Sequence, residues 1–264
     1  MTEQDQNYTF PWGFNLGNLH KNSEIIPLYT ATNDGGFSLL YDKVSESKVD
    51  KLLESLCLEL LSQMPAGSLR VNMFDFGKKK FYHLSALQFM ECYKTAYTPE
   101  MMMSLFDELE KTIVTRYEEL ICCNRPSINE HNKKSKLKEM YHLVLINLAN
   151  FPTEDISLRR INNFVESAQK AGVYVIAFGY QNMEESKNEN VQTVLNYFKK
   201  IQVTEGNFGI TKEIFEFVEL LDDHEFRALD LDKSSLMQET LKHIDLETYL
   251  NPESIKLEEN TRVE

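Results

Sequence analysis

The sequence predicts an α/β fold, a mostly parallel sheet covered by helices. Two observations carry that reading: short runs apolar on both faces, such as LRVNMFDF and YHLVLINL, and longer stretches whose apolar residues recur at three and four. The two kinds alternate along the chain, which is the order a helix-covered parallel sheet requires. With 264 residues, 42% apolar and 26% charged, the chain is long enough for one large domain or two small ones, and collagen, low-complexity and disordered classes are excluded. No run approaches the roughly 18 apolar residues that span a bilayer, and the start MTEQDQNYTF lacks a basic region followed by an apolar stretch. The expectation is a cytoplasmic protein without membrane contact.

In order along the chain, the runs IIPLYTA and FSLLYD flank Asn33, Asp34, Gly35 and Gly36, which predicts an N-terminal hairpin. Val49, Leu52, Leu53, Leu56, Leu60, Leu61 and Met64 predict a helix over 49–64, stopped by Pro65 and Gly67. A strand buried on both faces follows at 69–76. Thr98 before Pro99 supplies a cap and a first-turn proline for a long helix over 99–122. CNRPSINEHNKKSK reads as a loop, and 141–148 as a second buried strand. The stripe Leu158, Ile161, Phe164, Val165 and Ala168 predicts a helix ending at Gly172, ahead of a central strand over 173–178. A helix near 191–198 and a short strand near 201–203 complete the body. The last sixty residues lack strand-like runs; Ile214, Phe217, Val218 and Leu221, then Leu236, Leu241 and Ile244, predict two or three helices and a frayed acidic end. The chain therefore divides into an α/β domain, 1–204, and an acidic helical C-terminal extension packed on it, 205–264.

The formal net charge is -13, and residues 204–264 carry 16 acidic against 6 basic side chains. Such a balance argues against a free-standing nucleic-acid binder, whose affinity rests on cancelling phosphate charge. Two basic clusters stand out as candidate DNA or partner contacts on one rim: Lys78, Lys79 and Lys80, and Lys133, Lys134, Lys136 and Lys138. The plainer reading of the second is a solvated loop. Cys57, Cys92, Cys122 and Cys123 show no C-x-x-C spacing and read as reduced structural thiols. The six histidines are scattered, so no metal site is assigned, and no G-x-S-x-G elbow is present.

In a parallel sheet the turn between a strand and the next helix is where phosphate-binding loops sit. Here one such turn reads DKVSESKV, residues 42–49. Set against G-x-x-x-x-G-K-[ST], only Lys48 matches; Asp42 and Ser47 stand at the glycine positions, Ser45 lies within the turn, and Val49 replaces the magnesium-binding hydroxyl. The plain alternative makes Ser47 a helix cap with Asp50 three residues on, and Arg116 a solvated helix residue. Five further segments agree in order with the motor domain of the FtsK/SpoIIIE/HerA-like DNA translocases. FPWGFNL, the hairpin before FSLLYD, VNMFDFG, Arg116-Tyr117 followed by INE, and AGVYVIAFGYQN resemble the family's P-x-G, HLLVAG, the strand ending in Asp-Pro, E-x-R-R-Y with Y-N-E, and AGIHLILATQ.

That resemblance spans about residues 10–204 and implies a RecA-like P-loop NTPase fold, with ATP and magnesium as ligands and hexameric rings around DNA. It departs where the chemistry lies. The strand that should end in Asp-Glu ends with Asn147 and Leu148, and phosphoryl transfer depends on metal, lysine and positioning. The expectation is therefore a pseudo-ATPase without cofactor, a scaffold or interaction subunit of a bacterial DNA-processing or defence assembly. Its partners would be a second copy or another protein, such as an active translocase or nuclease, with DNA only as part of a complex. The alternative is a nucleotide-binding or DNA-dependent ATPase that takes ATP and magnesium at a site rebuilt from carboxylates such as Asp75 and Glu46; direct DNA binding without ATP ranks third.

Overall fold

The computed structural model describes residues 8–151 and 156–243. In chain order its elements are β1 (Gly13–Lys21), β2 (Glu24–Ala31), β3 (Gly36–Tyr41), α1 (Glu46–Gln63), β4 (Leu69–Phe74), the short α2 (Tyr82–Ser85), β5 (Tyr93–Ala96), α3 (Pro99–Glu119) and α4 (Ile128–Lys134). Then follow β6 (Tyr141–Asn147), α5 (Leu158–Ser167), β7 (Val173–Tyr180), α6 (Glu189–Tyr197), β8 (Lys199–Thr204), β9 (Asn207–Gly209), β10 (Glu225–Ala228) and α7 (Lys233–His243). Seven strands form the main sheet in the order β5-β4-β6-β7-β3-β8-β9, parallel except for β9. A small antiparallel sheet, β10-β1-β2, stands beside it.

Each central strand serves two cores because successive side chains point to opposite faces. On β6, Tyr141, Leu143 and Leu145 join the apolar face of α1 and the small sheet, whereas Val144 and Ile146 join α3, α5 and α6. On β7, Tyr174, Ile176 and Phe178 alternate in the same way with Val173, Val175 and Ala177. Phe10 stacks on Tyr174 with ring centroids 3.7 Å apart and fixes the segment leading into β1 on this core.

The N-terminal hairpin exists, but between different strands from those the Asp34-Gly35 signal implied. β2 pairs antiparallel with β1 across Asn22 and Ser23, and β3 runs instead between β7 and β8. Gly36 has φ +151°, and a Cβ there would lie 1.7 Å from the Val175 carbonyl oxygen. Gly36 thus serves the close approach of β3 to β7 rather than a hairpin turn, while the Gly35 amide closes a turn on the Thr32 carbonyl. The loop expected before β6 contains α4, whose cap Ser127 accepts from the Glu130 amide. β5 and α2 carried no distinct sequence signal. The segment after 204 is not purely helical: among the described residues β9 adds to β8, a 3-10 turn spans Val218–Asp222, β10 completes the small sheet beside β1, and α7 follows. Residue Ile244 and the expected frayed end lie outside the described residues.

Candidate functional site

The registers align the carboxyl ends of the parallel strands, with Tyr41 opposite both Tyr180 and Val203, and Asn147 opposite Phe178. The turns after β3, β4, β6, β7 and β8 therefore gather at one end of the sheet, where ligands bind in open α/β folds.

Four residues, 42–45, connect β3 to α1, and α1 begins two residues before Lys48. The Asp42 carboxylate folds back over this turn, accepting from the Ser45 amide at 2.8 Å and from the Glu205 amide at 2.7 Å. Ser45, not Ser47, stands at the N-cap position, and its side chain does not cap the helix: it is buried, and its hydroxyl accepts from the Gly206 amide at 2.8 Å, while Ser47 is exposed in the first turn. Ser45 with its hydroxyl, together with the Glu205 amide, holds the Asp42 carboxyl below the usual carboxylate range. Lys48 donates to the Gly206 carbonyl at 3.0 Å, toward the turn between β8 and β9. The Ser45 amide is thus taken by a side chain of the same turn.

Beside this turn lies a second group. Asp75, directly after β4, is fully buried and accepts from the Lys79 amide, the Asn147 side-chain amide and, at 3.4 Å, Asn150. Burial pushes its carboxyl up despite those donors. The Lys79 ammonium reaches the opposite way, 2.7 Å from Glu46 and 2.8 Å from Asp50, over the Tyr41 ring. Burial alone would lower Lys79, but the two carboxylates outweigh it and hold the ammonium above its ordinary value. Burial also pushes Tyr41 up to about 12. Tyr180 completes the group by donating to Glu46 at 2.7 Å.

No protein-family model matches the sequence, and no curated protein sequence matches it. Solved structures do. EssC, ATPases 2 and 3, from Geobacillus thermodenitrificans superposes with TM-score 0.61 at 13% identity, over 92% of this chain and 50% of that one. The cytoplasmic domain of the Thermomonospora curvata type VII secretion ATPase EccC gives 0.54 at 14%, over 81% and 25%. The pCW3 conjugation coupling protein TcpA, solved with ATPγS, gives 0.53 at 15%, over 90% and 71%. The chain shares the fold of these ATPase domains. It spans half of the EssC chain and a quarter of the EccC chain.

Within this fold the structure brings Asp42, Ser45, Lys48, Asn147 and Asp75 to one end of the sheet, with β7 between the strand that leads to Lys48 and the one that ends at Asn147. Val49 and Leu148 are buried in the two apolar cores, on opposite faces. The basic clusters do not share a rim: Lys78, Lys79 and Lys80 follow the carboxyl end of β4, whereas Lys133, Lys134, Lys136 and Lys138 lie ahead of the amino end of the parallel strand β6. Lys79 is withdrawn from the surface by its two carboxylates, and Lys78 donates to Asn150. Lys133 and Lys134 pair with Glu130, Lys138 donates to the Asn132 carbonyl, and Lys80 and Lys136 are exposed. Arg116 is not solvated either: it is buried, paired with Glu139 at 3.1 Å and bonded to the carbonyls of Ala171 and Met140. The parts sequence reasoning missed, Lys79 as an internal cation and Glu205 and Gly206 as partners of the turn, come from segments remote in the chain and carry no motif.

Proposed function

We propose that this protein is a catalytically silent ATPase-fold subunit, a cytoplasmic scaffold that contributes surfaces rather than hydrolysis to a multi-subunit bacterial DNA-processing, defence or transport assembly. One observation carries the reading: Asp42 has its carboxylate bonded to the turn's own amide, and β6 ends in Asn147 and Leu148, without the carboxylates that the family resemblance puts there for metal and water. A nucleotide phosphate brought to that turn would meet Asp42, and like charges at contact repel. Asp75 and Glu46, the carboxylates a rebuilt metal site would draw on, are engaged by Asn147 and by Lys79 and Tyr180. A role in protein assembly draws further support from the similar solved chains, which are secretion ATPases and a conjugation coupling protein, one EccC structure being a complex with a signal sequence peptide.

The test is a thermal melt of the purified chain with and without magnesium and ATP. A ligand at 100 times its dissociation constant stabilises by about 2.7 kcal/mol, a readily seen shift. The expected result is an unchanged melting temperature and no phosphate release, with Lys48→Ala indistinguishable from the parent. A magnesium-dependent shift abolished by Lys48→Ala would establish the nucleotide-binding alternative instead.

A further inference from the structure

Away from the sheet's carboxyl end, two of the four cysteines are placed differently from the structural thiols the sequence suggested. Cys57 and Cys92 are buried, and burial raises both thiols. Cys122 and Cys123 are both exposed. They sit in a tight turn between α3 and α4 closed by reciprocal backbone bonds, Cys122 amide to Arg125 carbonyl at 3.0 Å and Arg125 amide to Cys122 carbonyl at 2.9 Å. The Cys122 thiol donates to the Asn124 side-chain oxygen at 3.0 Å, and Lys134 of α4 donates to the Asn124 carbonyl at 2.7 Å. On one side the turn hangs from the end of α3, where the amides of Leu120 and Ile121 donate to the Arg116 carbonyl; on the other it runs into the capped start of α4. Two neighbouring thiols are thus held open to solvent on an anchored backbone, so a ligand that grips both has little chain ordering left to oppose it.

We propose that Cys122 and Cys123 form a bidentate site for thiophilic trivalent metalloids, the arsenous class. With an organic arsenoxide the step balances without redox change: two S–H bonds break, two As–S bonds form, and the oxide oxygen leaves as water carrying both protons. Arsenic stays trivalent and the product is a closed ring through both sulfurs. Joining the two thiols makes the second bond intramolecular, so the pair holds arsenic about 10²–10⁴-fold more tightly than either thiol alone. Cys57 and Cys92 are buried, so a bulky arsenical does not reach them in the folded chain.

The experiment titrates the reduced full chain with phenylarsine oxide and follows free thiols with a thiol-reactive dye, mapping protected positions by peptide mass spectrometry. Expected are one equivalent bound, protection of Cys122 and Cys123 together, and release by excess small dithiol but not by monothiol. Cys122→Ser and Cys123→Ser should each weaken binding by about 10²–10⁴-fold, and both are exposed positions whose melting temperatures serve as the folding control. Single variants that bind as tightly as the parent, or protection that maps to Cys57 or Cys92, would overturn the proposal.

Discussion

With its side chain 9% exposed, Lys79 holds the carboxylates of Glu46 and Asp50 at 2.7 and 2.8 Å beside the first turn of α1. Removing one partner of a buried ion pair leaves the other charge uncompensated, at a cost of about 3–5 kcal/mol when both are fully buried. Here the carboxylates are about one-third exposed, so water screens part of the loss and Lys79→Met should destabilise by about 2–3 kcal/mol. The sign with pH follows. In the variant the two carboxylates repel and lack a cation, so their folded pKa values rise above those of the unfolded chain. Protons then bind the folded state more tightly, and the variant's deficit in urea unfolding should shrink as pH falls from 7 toward 4. A deficit that stays constant over that range would mean Lys79 acts through packing rather than charge.

At the scale of elements, two contacts decide how strands and helices seat. The start of β3 approaches β7 so closely that only glycine fits at 36, with φ +151° and the Val175 carbonyl 1.7 Å from where a Cβ would stand. Gly36→Ala should therefore cost about 3 kcal/mol or more, read as a drop in the denaturation midpoint, and Gly209→Ala, whose Cβ position has 3.3 Å to its nearest neighbour, is the milder comparison. Arg116 ties α3 to the starts of β6 and β7 through Met140 and Ala171; Arg116→Leu strands those carbonyls and Glu139, so a loss of about 3 kcal/mol is expected from the same measurement. Neither role was readable in the sequence. The periodic stripes and two-faced apolar runs marked α1, α3, α5, β4, β6 and β7 because those patterns record burial directly. What Gly36, Arg116 and Asp42 do depends on Val175, Ala171 and Glu205, partners more than fifty residues away, and local pattern holds no trace of them. The same limit explains β9 and β10, short half-exposed strands whose existence follows from the strands they join, and the Asp34-Gly35 signal, which is local and was overruled by a parallel neighbour.

For the whole molecule, the main sheet encloses an imidazole whose protonation is expected to oppose folding in acid. His142 on β6 is buried, 3.2 Å from the Asn72 amide nitrogen, and burial together with the positive charges of Arg116, Arg70 and Lys94 lowers its pKa to about 3. The unfolded chain takes up that proton near pH 6.5, the folded chain only near 3. Between those values the unfolded state binds more protons, so stability falls as pH drops through this window, by at most about 1.4 kcal/mol per pH unit from this residue. Asp75 acts in the opposite sense, because its raised pKa lets the folded state bind a proton first. The two are separable by substitution. His142→Gln keeps a neutral hydrogen-bonding side chain in the same place without the titration, so its unfolding free energy should decline less between pH 7 and pH 4.5, by about 2–3 kcal/mol relative to the parent. A parallel decline in parent and variant would place the acid-sensitive group elsewhere and show that the interior of the sheet accommodates a charged imidazole.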